Sequence, residues 1–491
     1  MMSQPTQPTS GGSRGDRPPP YRDIIDLTPT DEAMLRKLPM PGDSEESRPK
    51  RLLTESRVLI VGFALIIGVG TLLLKLPWAS GTGVPISWSD AVFTATSATT
   101  VTGLTVRPAA IDFSFFGQVV ILLLLQVGGV GFIAFSVLLY RLIGRRITLQ
   151  TRFIVQQSVG SGQLSGALNL ALYVLGVTLL FEGIGALLLW LRWRETIPGG
   201  RGVWYAIFHS VSSYCNAGFD LFSGTDYPAL FGYGRDWYSL SVMGILIIVG
   251  GFGITILYDL WTFPRDRKLD LNTRFTLWLG LALAISGTVF LLVDASFSRT
   301  LFSAVPWHER MAVGLFTVVS ARTAGITLFP LDQLAEASQM VLVLWMFIGG
   351  APASMAGGIT TSAFAVVLFS VVATTRGHGE TVAFNRTLPL ETIGKAVAIT
   401  TVSVLLVVLV TLILVVHESG PIFTTGFEVV SAFSNTGYSL GETSSLDNFG
   451  RYLIALTMFW GRLGPLTIVV ALAQREHPSL VRFPEEPVML G

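Results

Sequence analysis

The sequence predicts an all-α, polytopic membrane protein, and three observations carry that prediction. The chain has 491 residues, of which 51% are hydrophobic and only 13% charged, whereas a soluble domain carries about 25% charged residues. Apolar stretches near the length a helix needs to cross a hydrocarbon core, about 20 residues, recur from residue 57 onward. A short mixed segment ending in a glycine lies between them four times over. The composition excludes an ordinary cytosolic enzyme and a disordered chain. A net charge of +1 argues against a polyanionic partner such as nucleic acid. Cys215 is the one cysteine, so no internal disulfide can form.

Residues 1–52 are rich in Pro, Ser, Gly and charge, as in Arg17-Pro18-Pro19-Pro20 and Asp43-Ser44-Glu45-Glu46. Such a segment cannot bury enough apolar surface to offset its ordering entropy, and it reads as a disordered tail. It serves either as a solubilising tail or as a docking arm for a cytosolic partner. No apolar core follows the N-terminus closely, so it is not a cleavable signal peptide. Spans are predicted near 57–77, 114–140, 167–191, 237–260, 274–295, 338–373, 391–416 and 450–473, about eight helices in all. An even count puts both termini on one side. One set of loops carries Arg141, Arg145, Arg146 and Arg152, then Arg265, Arg267, Lys268 and Arg274, then Arg376, Arg386 and Lys395. The opposite set carries fewer, such as Arg192, Arg194 and Arg201. The positive-inside rule then predicts a multi-pass plasma-membrane protein with both termini cytoplasmic, 476–491 forming a short C-terminus.

The mixed segments are alike. They begin Phe93-Thr-Ala-Thr-Ser97, Phe208-His-Ser-Val-Ser212, Phe316-Thr-Val-Val-Ser320 and Phe427-Glu-Val-Val-Ser431. In each, Phe and Ser share one face of a short helix. They end Thr100-Val101-Thr102-Gly103, Cys215-Asn216-Ala217-Gly218, Arg322-Thr323-Ala324-Gly325 and Ser434-Asn435-Thr436-Gly437. Ser-to-Gly spacing is six residues in the first, second and fourth copies and five in the third. A recurring period of this kind marks duplicated modules. The predicted modules are 53–148, 149–264, 265–385 and 386–475, each a helix, a pore helix, a filter loop and a second helix, arranged around one central pore. The second helices also repeat, in Val127-Gly128-Gly129, Val249-Gly250-Gly251, Ile348-Gly349-Gly350 and Trp460-Gly461-Arg462. Those glycines either let helices pack closely or bend the helices beside the loop.

Non-helical backbone at membrane depth is tolerated only inside protein or along a wet cavity. Four such loops around one axis would aim backbone carbonyls at a central file, where carbonyls can replace an ion's hydration shell. Glycine permits the unusual φ/ψ and leaves no Cβ to crowd the axis. The loops carry no acidic side chains, which favours a backbone cage over a carboxylate ring. No phosphate-binding Gly-x-x-x-x-Gly-Lys-Ser/Thr run and no His/Cys metal cluster is visible, so no enzymatic site is expected.

Thr-Val-Thr-Gly-Leu at 100–104, Asn-Ala-Gly-Phe-Asp at 216–220, Ser-Ala-Arg-Thr-Ala-Gly at 320–325 and Gly-Arg-Leu-Gly-Pro-Leu-Thr at 461–467 resemble the membrane subunits of Ktr-type potassium uptake systems, in the Trk/Ktr/HKT superfamily. The resemblance covers about residues 55–475. It implies a potassium selectivity filter built by Gly103, Gly218, Gly325 and Gly437 with their neighbours Thr100, Val101, Thr102, Cys215, Asn216, Ala217, Thr323, Ala324, Asn435 and Thr436. It implies a homodimer on a cytosolic, KtrA-like ring of RCK subunits that binds nucleotide, and it leaves room for sodium as a coupling or activating ion. A sodium-selective or poorly selective cation pathway of the same fold is the competing expectation; Gly rather than Ser at 103 favours potassium. A membrane-embedded enzyme or scaffold would leave the fourfold pattern unexplained.

The stretch 349–362 breaks the predicted span 338–373 with small polar residues, Gly and Pro. The plain reading is a kink. The resemblance makes it an intramembrane gate loop built on Gly349, Gly350, Pro352, Ser354, Gly357, Gly358, Thr360 and Thr361, with Thr360 where relatives commonly carry Lys. Arg462 stands where the other second helices have Gly129, Gly251 and Gly350. It reads as a structural partner for freed carbonyls, or as a positive barrier that also tethers the gate. Arg322 is expected to point away from the axis. Glu182 is expected to pair between modules, Asp220 to draw cations to the outer mouth, His209 to be a satisfied buried histidine, and Cys215 to be a packing residue.

Overall fold

The computed structural model describes residues 55–130, 167–225, 236–297, 306–352 and 354–464. The tail 1–52, the C-terminus 476–491, the basic loop Arg141–Arg152 and the far ends of the spans 114–140 and 450–473 lie outside the described residues.

The stretch expected to form the first module contains α1 (Glu55–Leu74), α2 (Trp88–Thr100) and α3 (Phe115–Val130). The second contains α4 (Ala167–Trp193), α5 (Gly200–Tyr214) and α6 (Trp237–Asp266). The third contains α7 (Leu271–Phe297), α8 (Trp307–Ala321), α9 (Glu336–Phe347) and α10 (Thr361–Thr375). The last contains α11 (Leu390–Glu418), α12 (Ile422–Ser434) and α13 (Asn448–Leu463). Between the last two, β1 (Val382–Ala383) and β2 (Arg386–Thr387) form a minimal hairpin that an all-α reading omits. Its central residues, Phe384 and Asn385, sit at φ 47° and 61°, the left-handed pair that suits a two-residue hairpin turn. Phe384 packs on Phe275 of α7 and Phe369 of α10.

Two helix populations arise from length and composition. Among the described residues three helices are long and apolar enough to cross a membrane: Tyr173–Trp193, Leu271–Asp294 and Leu390–Glu418. A fourth qualifies if the bent pair Trp237–Gly253 and Thr255–Asp266 is one span. Their surfaces carry exposed Leu281, Ile285, Leu405 and Leu409, as lipid contact requires. In contrast α2, α5, α8 and α12 have 13 to 15 residues, about 20 Å of helix against a core of about 30 Å. They cannot span, and their C-terminal halves are mostly buried, Ser97, Ser212, Ser320 and Ser431 completely. The molecule is thus apolar outside and lined with small hydroxyl residues inside, and the short helices form its centre. Helix α2 packs on α1, α3 and α13, so the last module returns to the first.

The double-glycine sites both pack and break. A Cβ on Gly128, Gly250 or Gly461 would collide with the carbonyl of Thr99, Tyr214 or Phe433, equivalent positions in the last turns of α2, α5 and α12. Three residues beyond Gly250, Gly253 adopts φ 70°, ψ 166° and α6 turns by 93°. In the third module the break is complete, and residues 348–360 separate α9 from α10.

Candidate ion-coordination ring and gate

Each short helix ends in the same bracket. The backbone carbonyl of Ser97 accepts from Thr102 N at 2.8 Å, that of Ser212 from Ala217 N at 2.7 Å, that of Ser320 from Ala324 N at 2.8 Å and that of Ser431 from Thr436 N at 3.0 Å. The Ser97 and Ser431 hydroxyls then accept from Gly103 N and Gly437 N, both at 3.1 Å. The Ser212 and Ser320 hydroxyls donate to Phe219 O at 2.6 Å and Ile326 O at 3.1 Å. The serine of the repeated motif therefore fixes the loop that follows it.

Gly103, Gly218, Gly325 and Gly437 all lie at positive φ: 88°, 71°, 61° and 94°. They meet in a closed ring. A Cβ on Gly103 would sit 2.5 Å from Ala217 O and 2.9 Å from Gly218 Cα. One on Gly218 would sit 2.6 Å from Ala324 O, one on Gly325 would strike Thr436 O, and one on Gly437 would strike Thr102 O. The order 103, 218, 325, 437 and back to 103 is the order of the chain. Three loops enter the ring through a left-handed residue: Val101 at φ 58°, Asn216 at 56° and Asn435 at 51°. Val101 is β-branched and unusual there, a strain that persists when the surroundings over-determine it. The third loop lacks this residue, with no positive φ between Ser320 and Gly325, and its Ser-to-Gly spacing is one residue shorter.

The side chains of these loops turn to the seams and leave backbone at the ring. Asn435 Nδ2 donates to Thr102 Oγ1 at 2.7 Å, and Thr102 Oγ1 is 2.7 Å from Thr100 Oγ1. Thr436 Oγ1 donates to Ala321 O at 3.3 Å. Tyr438, sealed behind it, donates to Thr317 O at 3.0 Å. With its amide oriented to satisfy both ends, Asn216 accepts from Thr323 Oγ1 at 3.0 Å and donates to Ile247 O at 3.1 Å. At the first seam Gln126 Nε2 donates to Glu182 Oε2 at 2.9 Å, and Cys215 Sγ approaches Glu182 Oε1 at 3.5 Å. Glu182 does pair between modules, and Cys215 is buried packing with a weak bond. Gln126 was not singled out by the sequence; its place two residues before the Gly128-Gly129 pair was the available signal.

The stretch 349–362 lies against this ring. A Cβ on Gly357 would strike the Asn435 side chain, and one on Gly358 would lie 3.2 Å from Ser434 Cα. Gly349 N donates to Ile359 O at 2.8 Å, Thr361 N to Gly350 O at 2.9 Å and Ala351 N to Gly251 O at 3.2 Å. Ala356 N donates to Ser354 Oγ at 3.2 Å. Pro352 occupies the turn at the tip. Thr360 caps α10 by accepting from Ala363 N at 3.3 Å, a task a lysine side chain cannot perform. Two arginines hold the stretch. Arg462 donates to Met355 O within it and to Gly128 O of α3. Arg322 turns outward to Gly349 O at 3.3 Å and to the surface of Gly280. The two readings of Arg462 as carbonyl partner and as tether thus describe one contact.

Other expectations divide. His209 is satisfied, with Nδ1 2.7 Å from Tyr205 O and Nε2 accepting from Leu221 N. The Asp220 carboxylate closes its own turn, accepting from Ser223 N at 2.7 Å and Phe222 N at 3.1 Å, which leaves less of it to draw ions. Three acidic groups escaped the sequence reading. Buried Asp90 of α2 accepts from Arg107 Nε at 2.6 Å and Arg451 Nη1 at 2.5 Å. Glu428 of α12 accepts from Ser439 Oγ at 2.6 Å and Leu440 N at 2.9 Å. Asp447, the exposed N-cap of α13, has its carboxyl held down to about 2, first by Gly450 N–H and then by His417. The adjacent His417 and Glu418 come together there with Asp447, which is distant in sequence.

Residues 34–482 match the TrkH family, described as cation transport proteins. This chain belongs to that family. It is 36% identical over 439 residues to Ktr system potassium uptake protein B of Bacillus subtilis, covering 89% of this chain and 97% of that one. It is 32% identical over 440 residues to Ktr system potassium uptake protein B of Vibrio alginolyticus, covering 89% and 95%. It is 31% identical over 452 residues to potassium/sodium uptake protein NtpJ of Enterococcus hirae, covering 91% and 99%. The fold resembles the crystal structure of the potassium transporter TrkH from Vibrio parahaemolyticus at a TM-score of 0.67 and 17% identity, covering 88% of this chain and 86% of that one. The family read from the four loop motifs is the family found.

Proposed function

We propose that this chain is the membrane subunit of a potassium uptake system and carries one ion path. Potassium enters from outside, sheds water at the backbone cage of Gly103, Gly218, Gly325 and Gly437, and passes the gate stretch 349–362 and Arg462 toward the cytoplasm. The observation that carries this reading is the closed glycine ring with its side chains turned to the seams. A ring of backbone replaces hydration for a cation without a fixed charge that would hold the ion. The four modules 53–148, 149–264, 265–385 and 386–475, the cytoplasmic termini, the homodimer and a nucleotide-binding RCK ring complete the proposal. The potassium uptake named for the Ktr system proteins supports it.

The name of the Enterococcus hirae relative includes sodium, which favours a second reading: sodium as a coupling ion or an additional cargo. Rubidium uptake into proteoliposomes holding this chain, with potassium or sodium as competitor, separates the two. Block by potassium alone supports the first reading, and equal block by sodium supports the second. Absence of uptake in folded protein, even with the ring subunits added, would sink both.

A further inference from the structure

A cavity of about 330 Å³ lies between α6, α7 and α8, inside the range of small-ligand pockets, about 300–1,000 Å³. At its mouth stand Ile248 and Leu281, 40% and 62% exposed. At its inner end stand buried Thr323 of the third ring loop and Gly350 of the gate stretch. The wall between is mostly apolar, with Val319, Leu277 and Ala284 in it, and Thr276 and the buried Arg322, whose Nη2 donates to Gly349 O, also line it. Leu281 lies ten residues into the span Leu271–Asp294, about 15 Å along the helix and so about mid-depth in a core of about 30 Å. The mouth therefore opens onto hydrocarbon rather than headgroups or water.

We propose that this cavity binds a linear acyl chain of a bilayer lipid, which enters between Ile248 and Leu281 and packs against Gly251 and Gly350. Those two glycines flank the bond from Ala351 N to Gly251 O, 3.2 Å, that joins the gate stretch to α6. An occupying chain supplies dispersion contacts to both sides of that bond, and an empty cavity forfeits them. The chain thus seats the gate stretch from behind. The seating role rests on the proposed gate; the binding does not.

The test uses the full chain in proteoliposomes doped with a phospholipid bearing a diazirine near the end of one acyl chain. Photolabelling mapped by mass spectrometry is expected on 247–252 and 276–284. Ala284→Phe, which fills the cavity, lowers that labelling about tenfold relative to the lipid-facing control around Leu405 and Leu409 of α11. Leu281→Ala, at the tolerant exposed mouth, raises it, and serves if the filled variant does not fold. Labelling no higher than the control, or unchanged by either substitution, overturns the site. So does exclusion of the label together with cross-linking of two Ile248→Cys chains, because the mouth is then covered by a second copy. For the seating role, rubidium flux in wild type rises when straight-chain lipid is exchanged for methyl-branched phytanoyl lipid, which is too wide to enter, while Ala284→Phe does not respond. Equal responses overturn the seating alone. Labelling is read without any flux, so its failure is distinguishable from failure of the ion path.

Discussion

In the glycine ring every seam is pinned by side-chain hydrogen bonds: Asn435 to Thr102, Asn216 to Thr323, Thr436 to the Ala321 carbonyl, and Gln126 to Glu182 beside Cys215. The gate stretch against it is also rich in Gly, Ser and Thr, yet it is held by a few backbone bonds and by two arginines, Arg322 from the ring loop before it and Arg462 from α13. Both regions use small residues to bring backbones close. They differ in who supplies the bonds. Three of the four seams are cross-linked by short side chains of the ring loops, each with few rotamers to lose, and the first by Gln126 and Glu182 behind it. The proposed gate stretch is clasped by long arginine side chains from outside it. The comparison teaches that similar composition is held mainly by short local side chains in one place and by long side chains from elsewhere in the other.

The largest effect is expected where the ring has no room. Gly325→Ala puts a methyl into Thr436 O at a positive φ, and the left-handed backbone alone costs a non-glycine residue about 1–2 kcal/mol. Rubidium uptake should fall at least a hundredfold, about 2.8 kcal/mol of barrier, in protein that still elutes as one species. Near-normal uptake would break the view of the ring as fixed. Gly103→Ser comes next and should cut the preference for potassium over sodium about tenfold, near 1.4 kcal/mol; unchanged selectivity in competition assays would remove Gly103 from the ion path.

Arg462→Ala tests the other side. It releases Met355 O and Gly128 O together, and basal uptake should rise several-fold, within about 1.4 kcal/mol per factor of ten. A fall in uptake would make Arg462 structural rather than a clasp. Ser431→Ala sharpens the ring further by orphaning Gly437 N, at a cost of about 1–3 kcal/mol, read as a lower melting temperature with selectivity partly retained. The smallest effect belongs to the exposed cap of α13. The Asp447 carboxyl titrates at about 2 when folded, below the unfolded value near 3.9. Its contribution is therefore complete above about pH 4 and fades as pH falls toward 2. Asp447→Asn should flatten the acid side of the melting-temperature profile and leave uptake at pH 7 unaltered.

Sequence and structure agreed most where a pattern repeated. Four copies of Phe-x-x-x-Ser leading to Gly identified the short helices, and Ser97 and its equivalents proved to be the brackets of the loops. A residue such as Asp90 gave no comparable signal. Its partners Arg107 and Arg451 lie 17 and 361 positions away, and nothing local distinguishes it from any carboxylate near a helix start. His417 and Asp447, 30 residues apart, were hidden for the same reason. The double glycines gave half an answer, because a packing glycine and a bending glycine look alike until the opposing carbonyl is known.

By itself the sequence determined that the chain lies in a membrane, that short polar helices alternate with apolar ones, and that glycine closes each loop. These follow from hydropathy, length and backbone freedom, which are properties of neighbours along the chain. Only the tertiary structure decided that the glycines meet in the order 103, 218, 325, 437, that Arg322 turns to the gate stretch, and that Arg462 joins Met355 to Gly128. Those outcomes depend on contacts from 27 to more than 300 residues apart in sequence, where buried donors and acceptors must find partners and where no local propensity says which partner will be near.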